Sequence, residues 1–217
     1  MTELALVETR AWVERAVIGL QLCPFAKAPQ VKGQVRYALS AARDPETLLV
    51  DLVAELEHLV AEPSDRIETT LLVHPRVLAD FDDYNAFLSR ADAALVALDL
   101  EGVIQLASFH PDYRFAGSAH DDIANATNRS PHPTLHLLRE ASIERALASF
   151  ADPESIYSSN IATMERLGAD GWSALRRACR DDAVAAQPGA ATRSRRQAGG
   201  GLPTRRLKAR AKAASES

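Results

Sequence analysis

IQLASFHPDYRFAGSAHDDIANATNRSPHPTLHLLRE, residues 104–140, is the stretch whose reading decides the fold. It opens as an apolar strand, passes through roughly two dozen residues rich in His, Asp, Asn and Arg, and returns to an apolar segment. Connections longer than ~12–15 residues without structure of their own are uncommon in compact domains, and are usually functional or disordered. Phe109, Tyr113, Phe115 and Ile123 anchor this one in a way that a solvated linker lacks. The reading is a polar site held by a rigid frame.

The frame emerges on moving outward. Residues 67–73 (IETTLLV) are β-branched and apolar, and stop at His74-Pro75 just as residues 103–109 stop at His110-Pro111. Between these two strands, Val77, Phe81, Tyr84, Leu88, Ala91, Leu95 and Leu98 recur at helical spacing, closed by Glu101-Gly102. Upstream, Asp44-Pro45-Glu46 is a helix start: a capping acceptor, a proline at the first position, an acid at the positive dipole end. Leu48, Leu52 and Leu56 form that helix's apolar face, and residues 63–65 end it. A short strand over 34–39 follows Gly33, and Leu6, Val13, Val17 and Leu20 predict one amphipathic helix over 3–21. That helix runs into Cys23-Pro24, where the proline disfavours helical backbone for the cysteine.

Downstream, residues 135–138 read equally as a buried strand or a first helical turn. A helix then runs from about 142 to 150, a second starts at Asp152-Pro153-Glu154 with Gly168 as its C-cap, and a short last helix carries Trp172 and Leu175 to about Cys179. Strands separated by such helices need crossover connections. The fold class is therefore α/β, with helices packed on a small, partly parallel sheet in a single domain over residues 1–185. Residues 186–217, made of Ala, Gly, Pro, Arg and Lys, are predicted to be a disordered basic tail. If the strands ending at His74 and His110 are parallel, both imidazoles stand at the carboxyl edge of the sheet, where open α/β sheets bind ligands.

Charge narrows the partners. The net −4 divides into a tail of +7 from residue 189 onward and a body of −11. An acidic body gives no electrostatic reason to bind nucleic acid, beyond non-specific contacts through the tail. No apolar run approaches the ~20 residues of a membrane span, so no membrane partner is expected. Two cysteines make no disulfide framework, and the acidic N-terminus is unlike a secretory signal, so a cytoplasmic location is expected.

Four words in the chain, GLQLCPFAKA, ETTLLVHP, LEGVIQLASFHPDYRFAG and NATNRSPHPTLHLLREASIERA, are similar to those of an uncharacterised bacterial family defined as a domain of unknown function. The likeness covers nearly all of residues 8–175. It departs at His132, where the family commonly has an aromatic residue, and this lowers His132 as a site candidate. The resemblance implies domain limits and carries no activity.

Three chemistries are compatible with the residues. His74, His110 and His136, with Glu140 on the same face if residues 134–149 are helical, are candidate ligands of a divalent metal such as zinc, iron or manganese. The plainer alternative is that His-Pro terminates strands and His136 packs. Cys23 is a candidate nucleophile, its pKa lowered by Lys27 or a histidine, with Asn125 or Asn128 orienting the base; against this, free cysteine often simply fills space. Arg114, Arg129 and Arg139 would bind a carboxylate or phosphate, or else pair with Asp112, Asp121, Asp122 and Glu140.

The expected function is that of a small-metabolite enzyme, acting on a substrate that includes anions among its candidates, with a His-rich site at the carboxyl edge of the sheet. Cys23, His74, His110, Asp112, Asn128 and His136 are its catalytic candidates, and Arg114, Arg129, Asn125 and Tyr113 its ligand-binding ones. The alternative is a non-catalytic module presenting the same pocket to a small ligand or partner. The sharpest expectation is convergence: His74, His110 and His136 line one cavity with Asn128 and Arg129.

Overall fold

A computed structural model of the chain describes residues 2–148 and 155–186. The basic tail, the end of the helix expected near residue 150 and the Asp152-Pro153-Glu154 start lie outside them. Four strands, β1 (Val35–Leu39), β2 (Thr69–Val73), β3 (Ile104–Phe109) and β4 (Thr134–Arg139), form one mixed sheet in the order β1-β2-β4-β3. β1 and β2 are parallel, and β4 lies antiparallel to both β2 and β3. The long connection after β3 therefore turns the chain back and lays β4 between two strands that point the same way.

One face of the sheet is covered by α3 (Pro45–Ala61) and α4 (Phe81–Ala97). Asp44 caps α3 by accepting from the Thr47 N–H at 2.8 Å, with Pro45 in the first turn, as its sequence requires. Asp80 does the same for α4 through the N–H groups of Asp82 and Asp83. Leu48, Leu52, Leu56 and Leu59 of α3 pack with Tyr84, Phe87, Ala91 and Leu95 of α4 against Leu72, Leu135 and Leu137. These side chains belong to the larger of the two apolar clusters described, whose burial stabilises the fold.

The opposite face is covered by the N-terminal segment and by α6 (Ser155–Ala185). Here the single helix expected over 3–21 is corrected. α1 (Thr2–Trp12) passes into a π-helical turn over Val13–Ile18, in which the Gly19 N–H reaches back five residues to the Glu14 carbonyl at 3.0 Å. Such widened turns recur at functional sites. Trp12, at the end of α1, and Val13 and Val17 of this turn line one cavity. α6 breaks at Gly168, whose φ of 67° and ψ of 174° belong to a region open essentially to glycine alone. The first helical segment thus ends at Gly168, where the sequence placed its C-cap, and a second segment carrying Trp172 and Leu175 follows.

β4 resolves the ambiguity at 135–138: pairing on both edges makes it a central strand, and α5 (Glu140–Ala148) begins only after it. His136 and Glu140 consequently share no helical face. A short α2 (Lys27–Val31) precedes β1. Among the described residues no helix is long and apolar enough to cross a membrane.

Candidate ligand cavity over the sheet

His74 and His110 stand where the strand directions place them, at the carboxyl ends of β2 and β3. Both are fully buried and turned towards α4, where Tyr84 lies between them, with ring centroids 5.7 Å from His74 and 5.1 Å from His110. His110 accepts from the Asp112 N–H through Nδ1 at 3.0 Å, so Nε2 carries the proton and donates to the Leu78 carbonyl at 3.2 Å. His74 Nδ1 donates to the Val77 carbonyl at 3.1 Å, leaving a buried Nε2 without a partner. Burial drives the His74 pKa down to about 4 and lowers that of His110. The Tyr84 hydroxyl donates to the Thr134 carbonyl and accepts from the Phe109 N–H. This cluster pins the ends of β2 and β3 to the approach to α4.

The loop's polar residues are largely engaged with the loop itself. Asn125, fully buried, accepts through Oδ1 from the Phe115 N–H and the Ser118 hydroxyl, and donates to the Ala119 carbonyl. Asn128 donates to the Ser108 carbonyl, and Arg129 to those of Tyr113 and His120. Arg114 pairs with Asp82 at 2.7 Å across the Phe81 ring, and Tyr113 packs edge-on against Phe81 and Phe115. Asp112 is exposed, its backbone N–H on His110. Arg139 donates to the carbonyls of Leu59, Glu62 and Ile67. A long loop rich in polar side chains can satisfy its own backbone, and here it does.

His136 corrects the convergence expectation. It lies in mid-strand, opposite Leu71 and Ala107, on the face of the sheet away from Tyr84. His74 and His110 share one edge, but His136 does not join them. Among the described residues no three His, Cys, Asp or Glu side chains are grouped so as to hold a metal ion.

On that second face His136 belongs to the floor of a cavity of about 770 Å³. Trp12, Leu71, Phe109 and Leu138 line it with Cys23 and its neighbours Pro24 and Phe25. Trp12 meets Phe109 edge-on at 5.2 Å, and the Phe109 ring lies 6.0 Å from His136. The His136 tautomer follows from its neighbours. The Thr69 hydroxyl donates to the Leu137 carbonyl at 2.6 Å, so it accepts at 2.7 Å from His136 Nε2–H. Nδ1 is left as an acceptor with no partner among the described residues. Burial pulls this imidazole to about 4, so it is neutral at pH 7.

Cys23 lines the same cavity, but burial pushes its thiol above the usual range, only partly offset by the backbone N–H groups of Phe25 and Ala26. The expected lowering by Lys27 or a histidine is not found: burial dominates, and only backbone N–H groups act against it.

Residues 5–174 match the family described as protein of unknown function (DUF1415). The chain belongs to that family. No curated protein and no solved structure matches it. In this DUF1415 chain the cavity is assembled from residues that read in the sequence as core, such as Trp12, Val17, Thr69 and Ala107. Of its lining residues, Cys23, His136 and Arg139 carried a chemical signal.

Proposed function

We propose that the chain binds a small, largely apolar metabolite in the cavity over the sheet, oriented by a hydrogen bond to His136 Nδ1. One observation carries this: an apolar chamber of about 770 Å³ with a single unpaired imidazole nitrogen on its floor. Ligand sites are typically ~300–1,000 Å³, mostly apolar, with a few polar groups that fix orientation. Both cysteines are free, which fits a cytoplasmic ligand pool. A simple probe tests the reading. 2-Naphthol, an aromatic with one hydroxyl donor, should bind saturably at one site. Ala107→Trp should fill the chamber and abolish binding. His136→Phe should weaken 2-naphthol roughly tenfold, the worth of one hydrogen bond at ~1.4 kcal/mol, and leave naphthalene unchanged. Equal losses for both probes would remove His136 from the reading.

A second reading is catalytic, because Cys23 and His136 line the same cavity. It would use the thiol as nucleophile and the imidazole as base. The burial of both groups disfavours the ion pair this needs, so the binding reading is preferred. Alkylation decides between them. Cys23 in the Cys179→Ser chain should react slowly at neutral pH and accelerate only above pH ~9. A rate that plateaus below pH 8 would restore the nucleophile. Cys179, buried and pushed up to about 11, serves as the inert comparison.

A further inference from the structure

Trp12 is also a wall of a second, smaller cavity, about 30 Å³, which opens between α1, α6 and the residues after the 3₁₀ turn Ile123–Asn128. Its composition is unlike the first. Arg129, Arg176 and Arg180 line it with Trp172 and Glu8. Trp172, Arg176 and Arg180 follow one another at four-residue steps, so the second segment of α6 turns one stripe towards the cleft. Two of the five Arg129 N–H groups donate to loop carbonyls, and the others have no acceptor among the described residues. Arg176 and Arg180 have no ion-pair partner among them either. Glu8 is engaged by His132 Nε2 at 3.2 Å. The indole N–H of Trp172 is buried without a hydrogen-bond partner, in a side chain only 5% exposed. An unmade bond of that kind is costly unless a ligand completes it.

We propose that this cleft binds phosphate, free or as the monoester group of a small molecule, through Arg129, Arg176, Arg180 and the Trp172 indole N–H. Among the groups that line the cleft three guanidiniums outnumber the one carboxylate, so an anion is the favoured guest. Arginine forks match phosphate oxygens bidentately. The small volume admits oxygens at its base, while the exposed Arg176 and Arg180 close over the rest. Burial chiefly depresses the Arg129 pKa, with a smaller contribution from the Arg176 charge, while Asp112 and Asp122 raise it. The two cavities share the Trp12 wall but none of the groups proposed to bind either ligand, so failure of one reading leaves the other standing.

The protein's two tryptophans both line this cleft, so intrinsic fluorescence reports on it directly. The full chain is titrated at constant ionic strength with inorganic phosphate, with glycerol phosphate and with chloride. A saturable change is expected with phosphate or the monoester and not with chloride. The tighter of the two identifies the source. Arg176→Ala/Arg180→Ala, two exposed positions, should abolish the response while leaving thermal unfolding without anion and 2-naphthol binding as they were. Trp172→Phe, read through Trp12, should weaken binding threefold to tenfold, the effect of one hydrogen bond. No saturable signal, an equal response to chloride, or full binding by the double arginine variant would overturn the proposal.

Discussion

Acidification from pH 7 to pH 5 is expected to remove about 4 kcal/mol of folding stability through two histidines alone. His74 and His136 are each held at about 4 in the folded chain by burial, against 6.5 when solvated. A folded pKa below the unfolded one means that the unfolded chain binds the extra proton. Stability is therefore complete above pH ~6.5 and is lost as the pH falls towards 4, at about 2 kcal/mol per histidine by pH 5. His110 shifts in the same direction and adds to the slope. Carboxylates such as Asp44 are lowered from 3.8 by their hydrogen bonds to Thr47, so their contribution disappears only in more acidic solution. Urea unfolding across this range measures the effect, and His74→Gln/His136→Gln should flatten the slope by about two protons. A wild-type stability constant between pH 7 and pH 5 would show that these imidazoles are not buried neutral. With a typical total of ~5–15 kcal/mol, a loss of this size is large.

Tyr84→Phe is expected to cost roughly 2–4 kcal/mol, although it removes a single oxygen. The hydroxyl is fully buried and joins α4 to both β3 and β4, at 3.1 Å from the Phe109 N–H and 2.9 Å from the Thr134 carbonyl. Phenylalanine fills the same space and orphans the groups on either side, each costing ~1–3 kcal/mol when left buried and unpaired. Tyr157→Phe, at an exposed position, is the control and should change stability by less than about 0.5 kcal/mol. Because Tyr84 lies on the α3/α4 face, its loss should leave 2-naphthol affinity unchanged in the folded fraction. A cost below ~0.5 kcal/mol, or a loss of probe binding, would contradict the division into a structural edge and a functional face.

That division explains what was legible in the sequence and what was not. β2 and β3 announce themselves through their apolar runs and the His-Pro stops, and Asp44 caps its helix through a local bond that neighbouring residues determine. The strand direction that places His74 and His110 at one edge follows from the same local logic. What those imidazoles face does not, because Tyr84 reaches them only after α4 docks. β4 was ambiguous because Leu135, Leu137 and Leu138 show no clear period on either side of His136, and its state is set by partners on both edges. The polar loop attracted attention by composition, yet Asn125, Asn128 and Arg129 chiefly serve its own backbone. The cavity left little trace, since it is a gap between Trp12, Leu71 and Phe109, each of which reads as core. Arg176 and Arg180 give no local signal for a similar reason: their stripe follows the break at Gly168 and meets Arg129 only in the folded chain.

Long-range ¹H–¹⁵N spectra of the histidine rings during a 2-naphthol titration test the ligand-site reading most directly. At pH 7 His136 should show the Nε2–H tautomer with an unprotonated Nδ1. That Nδ1 resonance should shift saturably as the probe binds, while those of His74 and His110 stay in place. Saturation that moves His74 and His110 and leaves His136 unmoved would return the site to the sheet edge and contradict the cavity.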